Sequence, residues 1–294
     1  MNEKISLSDI GFNQLINERF DSLTKSEKRI ARYLQKHMDE AAFMAVSELA
    51  GRLELSEATI VRFAQSLDFS GYPEMRSALQ ASFRSRVTHA ARLRGRLENL
   101  HQSNDIFEQL TLSEIDYLSQ ALQTVDRQAL QQAVELLRTQ NRIFVFGLGP
   151  SISLVDLLAI RLTRVGKPVI PLTSSGREIA ESLSMMTPND LLFAIGFFDV
   201  NPALKLVLEH AHELGTPIIL LTDYLEALVG DIAKVVLVAR RGPVAAFHSL
   251  IVPMNIVNTL LLSLAEVDQE RAVNSLDKLD ELRDKLNRYQ INKG

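Results

Sequence analysis

The sequence predicts an all-α domain followed by an α/β domain with a doubly wound parallel sheet. Three observations predict this. Up to residue 142 no alternating run of Val, Ile and Thr occurs, and apolar residues recur at helical spacing. Beyond it, short continuously apolar runs alternate with helical segments, as in parallel strands covered on both faces. The charge balance also changes sign. Residues 1–100 hold 15 Lys+Arg against 13 Asp+Glu, whereas residues 101–294 hold 17 against 23.

The first helical signal is Thr24-Lys25-Ser26-Glu27, a capping box in which hydroxyl and carboxylate each take the other residue's amide. Ile30, Leu34 and Met38 then mark one helix face. A short helix over Ser47–Leu53 follows, closed by a tight connection at Glu54-Leu55. Ser56 is a good N-cap, with Glu57 at the positive end of the next helix, which buries Ile60, Phe63, Ala64 and Leu67. Phe69–Pro73 ends this unit. From Met75 to Leu97 stand Arg76, Arg84, Arg86, Arg92, Arg94 and Arg96 without an acid. A basic N-terminal part joined to an acidic C-terminal part suggests a polyanion reader fused to something else.

Strands are predicted at 142–147, 168–172, 191–196, 217–222 and 234–239, with helices near 151–165, 177–186, 202–214 and 224–230 between them. Two helices close the chain, one uncharged near 248–265 and one charged near 268–290. The predicted organisation is 1–80 for the first domain, 81–112 for a basic helical linker, 113–266 for the α/β domain and 267–294 for a C-terminal helix.

Composition excludes several functions. The chain contains no Cys, so disulfides, Cys-ligated zinc, iron–sulfur clusters and a Cys nucleophile are ruled out, and a reducing compartment fits. The N-terminus shows no apolar signal region, and a cytoplasmic location is expected. Gly242–Ala265 has no charge and is long enough to span a bilayer, but His248, Pro253, Asn255 and Asn258 suit a buried helix better. No membrane partner is expected.

Catalytic signals are weak. There is no Gly-x-Ser-x-Gly elbow and no Walker loop, and His210 and His212 point to different helix faces. Glu178 and Glu181 could imitate an acid/base pair, but a solvated helix face explains them more simply. No cofactor or metal is expected.

Binding signals are stronger. The two helices across Ser47–Leu67 have helix-turn-helix proportions. The free face of the second presents Glu57, Thr59, Arg62, Gln65 and Ser66 to a major groove, while Ser56 and the helix amides suit a backbone phosphate. Arg76 and Arg84 follow and would touch phosphate only. In the second domain, Gly147-Leu148-Gly149-Pro150-Ser151 forms a strand-to-helix turn in which glycines admit an anion and Ser151 can bind it. Thr173, Ser174 and Ser175 offer hydroxyls at the same sheet edge.

Ser47-Glu48-Leu49-Ala50, Leu55–Phe63, Leu67–Tyr72 and the opening Thr24–Ala31 closely resemble the helix-turn-helix domain of RpiR/MurR-type bacterial transcriptional regulators. That family joins it to a SIS (sugar isomerase) domain that senses phosphosugars or related metabolites. The resemblance implies a double-stranded DNA operator, a small-molecule effector (sugar, sugar acid or sugar phosphate), a homodimer or homotetramer, and a ligand contact at Ser151. SIS domains that hold sugar phosphates carry a Ser-x-Ser-Gly-x-Thr loop after the third strand. This chain reads Gly196-Phe197-Phe198-Asp199-Val200-Asn201 there. Asp199 would repel a dianion and favour a ligand that donates to it. The alternative is a SIS-type sugar-phosphate isomerase with a helical N-terminal appendage, against which the replaced loop speaks.

Overall fold

Each helix of the N-terminal unit turns one apolar face inward. The computed structural model describes residues 12–86, 105–197, 200–223, 225, 232–241 and 248–291. In the first unit α1 (Phe12–Arg19), α2 (Lys25–Ala41), α3 (Val46–Arg52), α4 (Glu57–Ser66) and α5 (Tyr72–Arg86) share a core containing Ile16, Ile30, Leu34, Leu49, Ile60, Phe63 and Leu67. The capping box forms: the Thr24 amide donates to the Glu27 carboxylate at 2.8 Å, and the Glu27 amide donates to Thr24 Oγ1 at 3.4 Å.

Between α3 and α4 the Leu55 amide donates to the Ala50 carbonyl at 2.9 Å, so the chain reverses within a few residues. Glu54 makes that reversal with φ +50, a conformation that favours glycine. Ser56 then caps α4 by accepting the Thr59 amide at 3.3 Å. Three further bonds tie the unit across long sequence separations. Tyr72 Oη donates to the Met44 carbonyl at 2.8 Å, Gln80 Nε2 to the Ala42 carbonyl at 3.0 Å, and Arg19 to the Ser66 carbonyl at 3.1 Å while also pairing with Asp68. Burial pushes the Tyr72 phenol up to about 12, so it remains a donor.

The second unit contains α6 (Ile106–Thr124), α7 (Arg127–Thr139), β1 (Ile143–Gly147), α8 (Ile152–Arg164), β2 (Val169–Leu172), α9 (Glu178–Leu183), β3 (Leu191–Ile195), α10 (Pro202–Leu214), β4 (Ile218–Thr222), β5 (Val235–Val238), α11 (Ile251–Val267) and α12 (Gln269–Ile291). The sheet runs β2-β1-β3-β4-β5 with every pair parallel. In register, Phe146 stands between Leu172 and Ala194. Helices α7, α8 and α11 cover one face of the sheet, and α9 and α10 cover the other.

The uncharged segment is a core helix: α11 buries Val252, Ile256, Val257, Leu260 and Leu264. Among the described residues no single helix is long and apolar enough to cross a membrane. Its start falls at Ile251 because Ser249 Oγ takes the Ile251 amide at 3.0 Å and donates to Glu114 at 2.8 Å. The amino edge of the sheet is sealed by structural polar contacts. Arg142 clamps the buried Asp190 at 2.9 and 2.8 Å. The Lys167 ammonium donates to the carbonyls of Arg138 and Gln140 at 2.5 and 3.3 Å, and burial draws it down to about 8.

The chain divides into two compact units within α6: its first turn, up to Gln109, and His248 group with the N-terminal unit, and the rest of α6 from Leu110 belongs to the second. Helix α5 continues past residue 80 to Arg86. The expected helix at 224–230, apart from Leu225, the residues Arg92, Arg94 and Arg96 and the side chain of Arg84 lie outside the described residues.

The left-handed Glu54 gives a direct test. Its ion pair with Arg29 is 3.9 Å long between exposed groups and contributes little. Glu54→Gly should therefore stabilise the protein by up to about 1 kcal/mol by relieving the strained backbone. A urea titration followed by circular dichroism measures it; a lower midpoint for the variant would contradict the assignment of strain at this turn.

Candidate functional site

Helix α4 is bound to its unit by one side only. Ile60, Phe63 and Ala64 are buried, whereas Glu57, Arg62 and Gln65 are exposed and Thr59 is half-buried. Arg62 reaches back along its own helix, Nη2 to Thr59 Oγ1 at 3.4 Å, a long bond that a better acceptor would replace. Ser56 Oγ lies 2.8 Å from Thr59 Oγ1, so the cap and the first turn are prearranged. Ser66 is placed differently: its hydroxyl donates to the Phe63 carbonyl at 2.8 Å, and its own carbonyl accepts from Arg19. Arg76 is half-buried on α5.

A second polar locus follows from the strand order. β1 and β3 are neighbours, yet β1 feeds α8 on one face of the sheet and β3 feeds α10 on the other. Their carboxyl ends therefore border a crevice, the usual ligand position in an open α/β sheet. Glycines shape both sides. A Cβ on Gly147 would stand 2.7 Å from Val155 Cγ2, and one on Gly196 would stand 2.5 Å from Leu204 Cδ2. At 147 a side chain would also crowd Ser151 Cβ at 3.2 Å and the Ser151 carbonyl at 3.3 Å, so glycine lets α8 lie close to β1; at 196 the Leu204 side chain would have to turn away. Gly149 turns with φ +56. Ser151 is 7% exposed, and its hydroxyl has no hydrogen-bond partner among the described residues.

The loop after β2 is partly committed to itself. Ser174 Oγ donates to Glu178 Oε2 at 2.9 Å and accepts the Gly176 amide at 3.1 Å. The backbone amide of Glu178 and the Ser174 hydroxyl hold that carboxyl below its usual range, which suits an ionised cap rather than a proton donor. Thr173 and Ser175 are exposed at the same edge. Phe198 and Asp199 lie outside the described residues. Two grooves lie along helices elsewhere on this unit: one of about 670 Å³ between α8 and α12, and one of about 410 Å³ between α7 and α11.

Sequence reasoning missed a polar group at the far half of this edge. Arg241, 6% exposed, donates to Asp223 Oδ2 from Nε at 3.3 Å and from Nη2 at 3.0 Å. Its guanidinium carbon lies 3.7 Å from the Phe197 ring centroid, so it covers the start of the loop after β3. Arg240 donates to the Asp223 carbonyl at 2.9 Å, and the buried Thr222 hydroxyl has no partner among the described residues. One signal was available: Arg240 and Arg241 are the only charged residues within 235–265.

Comparison with known proteins agrees with this division. Residues 10–86 match the model of the helix-turn-helix domain, rpiR family, and residues 136–264 match that of the SIS domain. A protein of Haemophilus influenzae named as an HTH-type transcriptional regulator is 25% identical over 224 residues, covering 76% of this chain and 77% of that protein. The solved structure of Vibrio vulnificus NanR complexed with ManNAc-6P is 26% identical, with a TM-score of 0.62 over 96% of this chain and 99% of that one. The sugar isomerase domain of an RpiR transcription factor from Sphaerobacter thermophilus is 28% identical, with a TM-score of 0.57 over 60% of this chain and 98% of that one. The chain is therefore an RpiR-type transcriptional regulator, a helix-turn-helix domain of the rpiR family joined to a SIS domain.

Proposed function

We propose that this regulator binds a palindromic double-stranded operator as a homodimer or homotetramer in the cytoplasm, and that a sugar-derived effector alters its operator affinity. The carrying observation is α4: capped by Ser56, packed on Ile60, Phe63 and Ala64, and bare along Arg62, Gln65 and Thr59. Arg62 reads a guanine edge in a fork, Gln65 takes an adenine edge, and Thr59 meets a thymine methyl. Ser56, Glu57 and Ser66 bound the reading face, and Arg76 contributes phosphate affinity without sequence information. Two-fold DNA symmetry mirrors two-fold protein symmetry.

The effector site is placed at the carboxyl edge, with Gly149, Ser151, Thr173, Ser174 and Ser175 on one side and the loop containing Asp199 on the other. The unpartnered Ser151 hydroxyl supports this placement, and the ManNAc-6P complexed with NanR supports a sugar-derived effector. The SIS domain binds rather than turns over its ligand; Glu178, held ionised by its cap, is a poor proton donor. Coupling between the two sites needs only a free-energy difference of about 1–3 kcal/mol.

Two measurements test the halves of this reading. Arg62→Ala should weaken binding to a selected operator by about 1–3 kcal/mol and relax specificity, whereas Arg76→Ala should weaken all sequences alike and flatten the salt dependence. Fluorescence anisotropy with selected and scrambled duplexes reads both; unchanged operator affinity in a folded Arg62→Ala protein removes α4 from the interface.

For the effector, thermal unfolding is measured against neutral sugars, sugar acids and sugar phosphates. Saturable stabilisation by a neutral sugar or sugar acid, abolished by Ser151→Ala, is expected. Stabilisation that Ser151→Ala and Ser174→Ala leave intact would move the site elsewhere. A hexose phosphate whose effect both variants abolish would show that the sequence at 196–201 tolerates phosphate after all.

A further inference from the structure

Helix α6 is apolar on two faces and has only one of them covered. Tyr117, Leu118 and Ala121 pack against the core of the second unit. On the opposite side Leu112, Ile115 and Leu122 are 58%, 54% and 66% exposed. With Ser119 they follow i, i+3, i+7, i+10, the spacing of a helix seam that meets another helix pair. Glu108 and Asp116 flank this stripe, and α6 contains no Lys or Arg. A bare apolar seam of this kind marks an interaction surface.

A matching receptor lies on the same unit. The groove of about 670 Å³ between α8 and α12 has Ile160, Leu279 and Leu282 along its apolar lining. Arg164, Lys278 and Arg283 stand along it, and no acid is among its lining residues. Arg283 reaches Asp280 on its own helix at 3.2 Å, whereas Arg164 and Lys278 make no ion pair among the described residues. An acid-flanked apolar seam and a base-flanked apolar groove are complementary in both shape class and charge.

We propose that the outer seam of α6 seats in the α8–α12 groove of a second copy of this chain, reciprocally about a two-fold axis. Leu112, Ile115 and Leu122 enter the apolar groove, and Glu108 and Asp116 face Arg164, Lys278 and Arg283. The occupant is a second copy because both halves of the contact are present on each chain and bare on each. A helix of 19 residues is about 28 Å long, and a two-fold axis makes the contact twice. The inference rests on the dimer proposed above and specifies its surfaces.

The test uses the absence of cysteine in the chain. Ile115→Cys protein is mixed with Leu282→Cys protein, and Leu122→Cys with Ile160→Cys, and each mixture is treated with a short bis-maleimide. Covalent dimers in at least one mixture, and none from any single variant alone, are expected. Sedimentation of the unmodified protein is run alongside. A sedimenting dimer with no cross-link in either mixture overturns this interface and leaves the dimer standing; a monomer alone overturns both. Cross-linking of Ile115→Cys or Leu122→Cys protein by itself would show α6 packed on α6 and overturn the proposal.

Charge supplies a second readout. Arg164→Glu with Lys278→Glu should raise the dimer dissociation constant at least tenfold, and adding Glu108→Lys with Asp116→Lys should restore it. Unchanged dissociation in the first variant contradicts the assigned contact.

Discussion

The reversal of strand order between β1 and β3 governs the second unit. A parallel strand pairs on both edges and hides both faces, so its backbone polar groups are spent within the sheet. Only the loops at its ends can offer amides and hydroxyls to a solute. Because the connections from β1 and β3 leave toward opposite faces, their loops part and open a crevice. Everything polar there depends on this parting. Ser151 has a hydroxyl without a partner among the described residues, and Gly147 and Gly196 keep the two departing helices tight against the strand ends. The opposite edge shows the contrast, for Arg142 and Asp190 satisfy each other and Lys167 is taken up by the carbonyls of Arg138 and Gln140.

The N-terminal unit solves a different problem with the same economy. A short helix of 10 residues is marginal on its own. Its Ser56 cap and three inward residues fix it, and of the remaining face Ser66 alone is drawn into the unit, through Phe63 and Arg19. Exposed Arg62 and Gln65 are thus free to answer to a ligand rather than to the fold.

Much of this was legible in the residues, because local rules dominate it. Strand runs without interruption, helix periodicity, the Thr24 box and the Ser56 cap each depend on neighbours a few positions away, and all of them form. The segment near 248–265 was read as helical from composition, but its start required a contact 135 residues distant, from Ser249 to Glu114. The same limit hid the Asp223–Arg241 pair, whose partners follow different strands, and the Arg19–Asp68 pair that anchors α1. Helix α6 was not read as an element, and it crosses the expected linker boundary at 112; its two apolar stripes overlap in sequence, so periodicity alone does not tell which one is covered. The site reading carries the same mixture: the glycine turn at 147–151 is visible in sequence, whereas the guanidinium lying over Phe197 is a product of folding alone.

The bonds from Tyr72 and Gln80 to the carbonyls of Met44 and Ala42 have a mechanical consequence. They brace α5 against the turn that precedes α3, and α3 is in turn linked to α4 through the hydrogen-bonded reversal at Leu55. Within this unit, α5 and α4 thus behave as a crank and its pin. Because Tyr72 and Gln80 hold α5 to the turn from which α3 and α4 follow, α5 and the reading helix share one frame inside this unit.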